Sequence, residues 1–496
     1  MRFFLISENG DSAGLAWKLK NEGHDVWVYL KNPAARGTLK NMVDQVTSIP
    51  IGLEKLPDVV LFDMVGMGKE AERIKKLGYK VIGGGEWNDK LELDRKFAMK
   101  AMESFGIKAP LTYAFDNFDD AVDFIATQKK LLVFKPSENL SCAYTFVPKT
   151  LDELASFILN LKIEHGVNGP CVLQEFIDGT EVSTEVWYAQ GKVVPNPIAT
   201  FETKKLMYDD VGPSTGCQTS VVFAYPKKEP RIVQQSLKKI HRFVEHIKYT
   251  GPLDINGIVK NGKFYGLEFT PRFGYSAIYA FLRILDEPLG EFLVRIANGD
   301  NAPMKMKEGF GYSLRVSIPP YPFKSENKVI QKAIYQDTAN LLIDGLTDEE
   351  WKTSVFPLDV WLSPDGYYTA GFDGVVLEVT GHGSTAYGAE YQAVNLFKKI
   401  VLPQKQARLG DGAEVAAKRM DAMAYQGYEM PPFNIAPPAT EIAVPTGAVV
   451  TSIQPMEQIV IKKESESERI KREDIDLADK LGVRPTAFAD PRVKSG

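Results

Sequence analysis

The chain has 496 residues, a formal net charge of −5, 44% hydrophobic and 25% charged residues. That length exceeds what one core organises and predicts two to four domains, while the mild, dispersed negative charge leaves no electrostatic footprint for duplex nucleic acid. No apolar run approaches the ~20 residues of a membrane span, and the cysteines Cys142, Cys171 and Cys217 are too far apart for a zinc site or a disulfide framework. The opening "MRFFLISENG" turns polar after six residues, short of a signal core, so a cytoplasmic protein acting on small molecules is expected.

Residues 1–90 alternate β-rich runs ("RFFLIS", "DVWVYL", "DVVLFDM", "YKVIGG") with helical stretches ("AGLAWKLKNEG", "EAERIKKLG"), the rhythm of a doubly wound parallel sheet. Its first turn, "SENGDSAG", lacks GxGxxG, which argues against a dinucleotide site. The stretch "ELDRKFAMKAMESFGIKAP" predicts one amphipathic helix with Phe97, Ala101 and Phe105 on its apolar face and Gly106 as its stop. A strand "LLVFKP", a helix "LDELASFILNLKI" and the strand-turn-strand-turn-strand of "CVLQEFIDGTEVSTEVWYAQGKVV" predict a compact α+β lobe. Residues 301–405 form a further mixed α/β segment with strands "VFPLDVWLS", "YYTAGFDG" and "VVLEVTGHG" and a closing helix "AYGAEYQAVNLFKKI". From 406 the composition shifts: five prolines lie within 431–445, followed by a β-like run and the charged "KKESESERIKREDIDLADKLG". That last stretch reads as a solvated helix or as a tail that docks a protein partner.

The segment "GPLDINGIVKNGKFYGLEFTPRFG", 251–274, reads as a hairpin. Each strand has one apolar and one polar face, with Asp254 and Asn256 on the first strand and Glu268 and Thr270 on the second. For the polar faces to coincide, opposed residues must share parity, which predicts an odd loop Lys260-Asn261-Gly262 and places Asp254 opposite Glu268. Two carboxylates about 5 Å apart suit a shared hard cation such as Mg²⁺, though an exposed face with ordinary surface acids accounts for the same alternation. Arg272 continues the parity and Gly274 leaves room beside it, so a cation and a guanidinium would grip one anion, with polyphosphate the expected class.

At this point the sequence resembles the ATP-grasp ligases, most nearly glycinamide ribonucleotide synthetase (phosphoribosylamine–glycine ligase). The resemblance runs in order over roughly residues 1–405, through "ENGDSAGLAWKLK", "LDRKFAMKAMESFGIKAP", "LLVFKP", "VLQEFIDGTEVSTEVW", "KKLMYDDVGPSTGC", the hairpin and "EVTGHGSTAYGAEYQAV". It implies an α/β and α+β multidomain protein: a pre-ATP-grasp domain at 1–90, an ATP-grasp domain at 91–300 with a lid lobe over about 112–190, a C-terminal domain at 301–405 and an extension at 406–496. It also implies ATP and Mg²⁺, and an amide formed through an acyl phosphate between a small carboxylate, an amino acid by analogy, and an amine acceptor.

By the same resemblance Arg95 and Lys135 contact phosphates, the stretch Gln174, Glu175, Phe176 and Ile177 reads the adenine edge, and Glu181 accepts the ribose hydroxyls. Metal ligation falls on Glu268 and Thr270, with Asp254 matching the first acid of many ATP-grasp enzymes. Lys205, at the place of a family Lys, assists with phosphate; Gly212, Pro213, Ser214, Thr215 and Gly216 lie by the amino-acid carboxylate and the phosphate, and Arg272 supports the carboxylate donor. Outside the family, Lys135 reads as a surface lysine, Glu181 as a turn-flanking acid and 211–217 as a plain turn. His382 of "TGHGS" reads as structural.

This chain departs from the family in two places. The lid loop, "PSENLSCAYTF", has no glycine, although Ser137, Asn139 and Ser141 offer side-chain donors. The family's glycine-rich turn with Arg-Glu-His is here "NGDSAG", and "FDMVGMG" replaces a Gly-Pro-Glu turn, which predicts an acceptor other than phosphoribosylamine. Two further readings stay open: a nucleotide-binding scaffold without turnover, and genuine glycinamide ribonucleotide synthesis.

Overall fold

The computed structural model describes residues 1–136, 144–166, 168–226, 229–323, 333 and 335–431. The lid-loop residues Ser137, Asn139 and Ser141 lie outside these, as do the charged stretch and the prolines from Pro432 onward.

The first unit is built from β1 (Arg2–Ser7), α1 (Ala13–Asn21), β2 (Asp25–Leu30), β3 (Asp44–Gln45), α2 (Ile49–Glu54), β4 (Val59–Phe62), α3 (Gly68–Lys76) and β5 (Val81–Ile82). Its sheet is parallel, in the order β3-β2-β1-β4-β5. The run "RFFLIS" explains why β1 is central: Phe3 and Leu5 join one hydrophobic cluster, while Phe4 and Ile6 join another on the opposite face. A strand apolar on both sides stays dry only when helices cover both faces.

The predicted single helix after it is two, α4 (Glu86–Leu93) and α5 (Arg95–Ser104). Asp94 ends the first in an extended conformation and caps the second, its carboxylate accepting from Phe97 N at 2.9 Å. The buried stripe of α5 is Ala98, Met99 and Met102, whereas Phe97 is exposed and Ala101 and Phe105 are only partly covered. The restart at Asp94 sets this rotation, which four-residue spacing alone cannot specify.

The stretch expected as a lid holds β6 (Thr112–Phe115), α6 (Phe118–Ile125), β7 (Leu132–Pro136), α7 (Leu151–His165) and β8 (Cys171–Glu175), in a small antiparallel sheet β6-β8-β7. Phe115, Phe134, Leu154, Ile158 and Leu173 form a core of its own. Thr150 caps α7 by accepting from Glu153 N at 3.1 Å, and Gly166, at φ +62°, ends it.

The rest of the chain supplies β9 (Thr180–Ala189), β10 (Lys192–Lys205), β11 (Ser214–Ala224), α8 (Arg231–Gln235), α9 (His241–His246), β12 (Gly251–Lys260), β13 (Lys263–Thr270), α10 (Ala277–Ile284), α11 (Leu289–Ala297) and β14 (Phe310–Ser317). There follow β15 (Leu342–Ile343), α12 (Asp348–Thr353), β16 (Val355–Pro357), β17 (Val360–Ser363), β18 (Gly366–Thr369), β19 (Val375–Gly383), α13 (Ala386–Lys399) and α14 (Gly412–Tyr425). Eight strands form one sheet, β13-β12-β9-β10-β11-β14-β19-β16, and β15-β18-β17 a small one. The run "VFPLDVWLS" is therefore two strands in two sheets, parted where the buried Asp359 accepts from Phe372 N at 2.7 Å. Helix α10 lies against one face at Gly311, where a Cβ would meet Ala280 O at 2.0 Å; α13 lies against the other at Gly381, where a Cβ would meet Ala389 O at 2.0 Å.

The hairpin corrects the predicted register. Its turn has two residues, Asn261 and Gly262, at φ +51° and +68°, and Lys260 pairs Lys263. Parity is restored by a bulge: Gly257 pairs Gly266 but Asn256 pairs Glu268, so Leu267 is the extra residue. Asp254 consequently faces Thr270, and Glu268 is its diagonal neighbour. The polar faces still coincide, as the alternation requires.

Candidate functional site

The polar face of the hairpin continues onto β9 and β10. Asp254 pairs Glu185, Asn256 pairs Ser183 and Ile258 pairs Glu181, while Ser183 also pairs Thr200. The strand period of two thus gathers Glu181, Ser183, Glu185, Thr200, Asp254, Asn256, Glu268 and Thr270 on one side of the sheet. A small cavity is lined by Glu181, Ser183, Thr200, Glu202, Asn256 and Arg419.

Within this face the two acids differ sharply. Asp254 is buried and accepts a short hydrogen bond from Ser183 Oγ, while Asn256 Nδ2 lies 3.4 Å from its other oxygen and 3.5 Å from Thr270 Oγ1. Burial, then the charges of Glu185 and Glu202, push its carboxyl well above the ordinary range. Glu268 is exposed. Packing opposes its ionisation, but Lys204, Lys135 and Arg95 together hold it below the ordinary range.

Those three cations come from three elements. Arg95 opens α5, Lys135 lies on β7 and Lys204 is the last residue but one of β10. Burial together with Arg95 and Lys204 lowers Lys135 to about 8, against the pull of Glu268 and Glu181. Lys204 Nζ stands 2.5 Å from Glu181 Oε1, and Glu181, Glu268 and Glu202 overcome burial to hold it protonated. Its charge and that of Arg419 keep Glu181 ionised despite packing. Arg95, Lys135 and Lys204 thus act on the same carboxylate, Glu268, and Lys135 and Lys204 also act on Glu181, a grouping that residue types alone did not predict and that only the family resemblance implied for Arg95, Lys135 and Glu181. Lys204 stands where Lys205 was expected: Lys205 pairs Ser214, and its carbonyl accepts from Arg408 Nη1 at 3.2 Å. The signal that could have found Lys204 is the alternation of β10, on which Glu202 and Lys204 share parity with the site.

Arg272 is 7% exposed and does not project freely. Its Nε and Nη2 donate to Glu92 Oε1 at 3.1 and 2.9 Å, Nη1 donates to Phe273 O at 2.9 Å, and the guanidinium lies 3.9 Å from the ring centre of Tyr275. Glu92, on α4, carried no sequence signal. Arg315, also unnoticed in the sequence, joins Glu378 at 3.1 Å and Ser276 at 2.9 Å in a buried cluster on the α10 side of the sheet.

In the stretch expected to read the adenine edge, Gln174 is buried and donates to Thr112 Oγ1 at 3.1 Å. The backbone N–H groups of Glu175 and Phe176 donate to Leu111 O and Leu131 O, and the Glu175 carboxylate meets Lys130 at 2.7 Å. Ile177 then leads out of the lid. The 211–217 segment is more strand than turn. Ser214, Thr215 and Gly216 belong to β11, Gly212 and Gly216 take φ +85° and +83°, and Pro213 O accepts from Leu206 N at 3.0 Å. Thr215 donates to Lys204 O at 2.9 Å. His382 is exposed, with its ring nitrogen 2.9 Å from Glu308 O.

Among the described residues no three His, Cys, Asp or Glu side chains converge in metal-ligand geometry. The donors that fit a hard cation are therefore mixed: the Glu268 and Asp254 carboxylates with the amide and hydroxyl oxygens of Asn256 and Thr270 at neighbouring register positions. Also among the described residues, no helix is long and apolar enough to cross a membrane.

Comparison with known proteins agrees with this architecture. Residues 93–277 match the family model for the phosphoribosylglycinamide synthetase ATP-grasp (A) domain. The chain is 24% identical to a phosphoribosylamine–glycine ligase of Lactococcus lactis over 347 residues, 66% of this chain and 82% of that one. It is 28% identical over 326 residues to the human trifunctional purine biosynthetic protein adenosine-3, covering 60% of this chain and only 31% of the larger protein. The crystal structure of a Thermotoga maritima phosphoribosylamine–glycine ligase superimposes with a TM-score of 0.62 at 21% identity, over 82% of this chain and 99% of that one.

Proposed function

We propose that this chain, an ATP-grasp ligase similar to phosphoribosylamine–glycine ligase, uses ATP to join a small carboxylate, an amino acid by analogy with its relatives, to an amine. The observation that carries the reading is the convergence of Arg95, Lys135 and Lys204 on Glu268, between the lid and the polar face of the large sheet. Three cations around an exposed carboxylate suit a polyphosphate accompanied by a divalent cation, because the anion supplies the charge they lack and the acid supplies a hard oxygen.

In this reading a carboxylate oxygen attacks the γ-phosphorus and ADP leaves; the amine nitrogen then attacks the acyl carbon, phosphate leaves and the nitrogen loses a proton. No nucleophilic side chain is needed, only charge neutralisation and alignment. Lys135, Lys204 and Arg95 neutralise the transferring phosphoryl group. Bound Mg²⁺, held by Glu268 with Asp254, Asn256 and Thr270, would shield the phosphate oxygens. Arg272, pre-positioned by Glu92 and Tyr275, and the backbone of Gly212, Pro213, Ser214, Thr215 and Gly216 face the carboxylate. Phe176 and Ile177 offer backbone carbonyls to the base, and Glu181 lies at the ribose.

ADP release stimulated by one amino acid, and lost in Glu268→Gln, would support this function. Nucleotide binding with no amino acid able to stimulate release would favour the scaffold reading, to which the engagement of Glu181 by both Lys204 and Arg419 lends some weight.

A further inference from the structure

We propose that Arg419, on the C-terminal helix α14, is a positioning residue for the nucleotide: it holds the second carboxylate oxygen of Glu181 toward the ribose hydroxyls and so sets how strongly the site prefers a ribonucleotide to one lacking them. This rests on Glu181 lying at the ribose. It holds for the ligase and the scaffold alike, since both bind nucleotide.

Helix α14 packs on the side of the large sheet away from the site. Tyr312 follows Gly311, which faces α10, so its side chain leaves by the opposite face. There a Cβ at Gly412 would meet Tyr312 Oη at 2.3 Å and Thr219 Oγ1 at 2.9 Å. The site residues instead share the α10 face, through the pairing of Ser183 with Thr200, Thr200 with Val222 and Val222 with Gly311.

Arg419 meets the site from behind because the sheet is split. The last pair between β9 and β10 is Ser183 with Thr200, although β9 begins at Thr180 and β10 runs on to Lys205. Each strand goes on pairing with its outer neighbour, Glu181 with Ile258 and Glu202 with Ser220. Arg419 stands in that split: Nη1 donates to Glu202 O at 2.8 Å, and Nη2 lies 3.8 Å from Glu181 Oε2. The guanidinium thereby borders the cavity that Glu181, Ser183, Thr200 and Asn256 line. No site residue was expected from the 406–496 extension, yet its helix supplies one.

Two cations divide the carboxylate of Glu181 between them. Lys204 Nζ takes Oε1 at 2.5 Å. The 3.8 Å approach of Arg419 is an ion pair too long for a hydrogen bond, so it holds Oε2 in place without occupying its lone pairs. Without Arg419 the carboxylate can turn both oxygens to the Lys204 ammonium, whose three donors accommodate either. An exposed ion pair of this length is worth little, but here Glu202 O anchors the guanidinium, and Arg419 and Glu181 are only 22% and 30% exposed. Packing opposes the ionisation of Glu181, and Lys204 first, Arg419 next, hold it below the ordinary range. An ionised acceptor binds a hydroxyl about twice as strongly as a neutral one. A guanidinium that merely plugged the split would stabilise the fold without regard to the sugar of the nucleotide, and on that point the two roles part.

The test is titration calorimetry on the full-length protein with Mg²⁺, using ADP and, separately, 2′,3′-dideoxy-ADP, which share base and phosphates and differ in the ribose hydroxyls. The parent is expected to bind ADP about tenfold or more tightly than the dideoxy compound, the scale of hydrogen bonds to a charged group. In Arg419→Gln that ratio should fall about threefold or more, with the dideoxy affinity within about twofold of the parent. In Arg419→Lys, which keeps the charge but not the fork spanning Glu202 O and Glu181, the ratio should lie between the two. Melting curves accompany each variant, and Arg419→Lys carries the comparison should Arg419→Gln fold poorly. A ratio equal to the parent's, whether both affinities fall in proportion or neither falls, would overturn the proposal. Glu181→Gln tests the reading beneath it: if ADP binds that variant with the parent's ratio, Glu181 is not at the ribose and the inference goes with it. A ratio lost in Glu181→Gln but intact in the Arg419 variants leaves the ribose acid standing and removes the part of Arg419 alone. Absence of ADP binding to the parent would sink both.

Discussion

Lys204 and Glu181 form a 2.5 Å ion pair across two neighbouring strands, and the same lysine is the foremost charge acting on Glu268. One side chain therefore ties the expected ribose acid to the expected metal acid. Lys204→Met is expected to weaken ATP binding about tenfold or more, because the loss of one charge-assisted contact is compounded by the repulsion it uncovers among Glu181, Glu202 and Glu268. Lys205→Met should remain within about twofold of the parent. Nucleotide titration of the two variants side by side decides which lysine serves the site.

Glu268→Gln keeps the size and one oxygen of the side chain but removes the charge gathered beneath three cations. Turnover should fall by about a hundredfold or more, the scale seen when a preorganised electrostatic contact at a reacting phosphate is lost. Because the residue is exposed, the melting temperature should shift by no more than a few degrees. Steady-state ADP release and a thermal melt on the same preparation provide both readings.

Asp63 makes stability depend on pH in a definite sense. Burial first, and Asp11 second, raise its folded value to about 7 from a reference of 3.8, so between these limits the folded chain holds the proton more tightly than the unfolded chain. This contribution is therefore fully present at low pH and is lost as pH rises through about 7. Asp63→Asn should be more stable than the parent at pH 8, by roughly 1 to 4 kcal/mol, with the gap narrower at pH 5 and closed only below the unfolded value of 3.8. Glu185 and Asp359, also raised to about 7, are common to both proteins and cancel in the difference. Chemical denaturation at the two pH values measures it.

The Arg315–Glu378 pair lies under α10 at 3.1 Å, with Glu378 wholly buried. Arg315→Met leaves that carboxylate without its countercharge and should cost about 3 to 5 kcal/mol, whereas Arg315→Met with Glu378→Met should recover much of the loss. A double-mutant cycle by urea denaturation distinguishes this coupling from a simple packing defect.

Much of the fold was legible because its signals are local. "RFFLIS" is apolar at every interior position and could only be a strand covered on both faces; the hairpin's alternation required that Asp254, Asn256, Glu268 and Thr270 share a face, and they do. The way this is achieved was not legible. The expected three-residue loop and the observed two-residue turn with a bulge at Leu267 satisfy the same parity, and only the packing of the neighbouring strands distinguishes them. The apolar face of α5 was misjudged for a related reason: Asp94 restarts the helix, and the rotation of a short helix is set by what it packs against.

The residue types of this chain by themselves determined the alternating strands and the shared polar face of the hairpin, with Arg272 continuing its parity, since backbone periodicity and side-chain chemistry are properties of short segments; the cations Arg95 and Lys135 were expected only through the family resemblance. Tertiary structure alone decided that Lys204 rather than Lys205 faces Glu268, that Glu92 clamps Arg272 and that Asp63 stands buried beside α1. Each of those relations joins residues whose meeting depends on strand register or on the docking of one unit against another, and neither is encoded within any single segment.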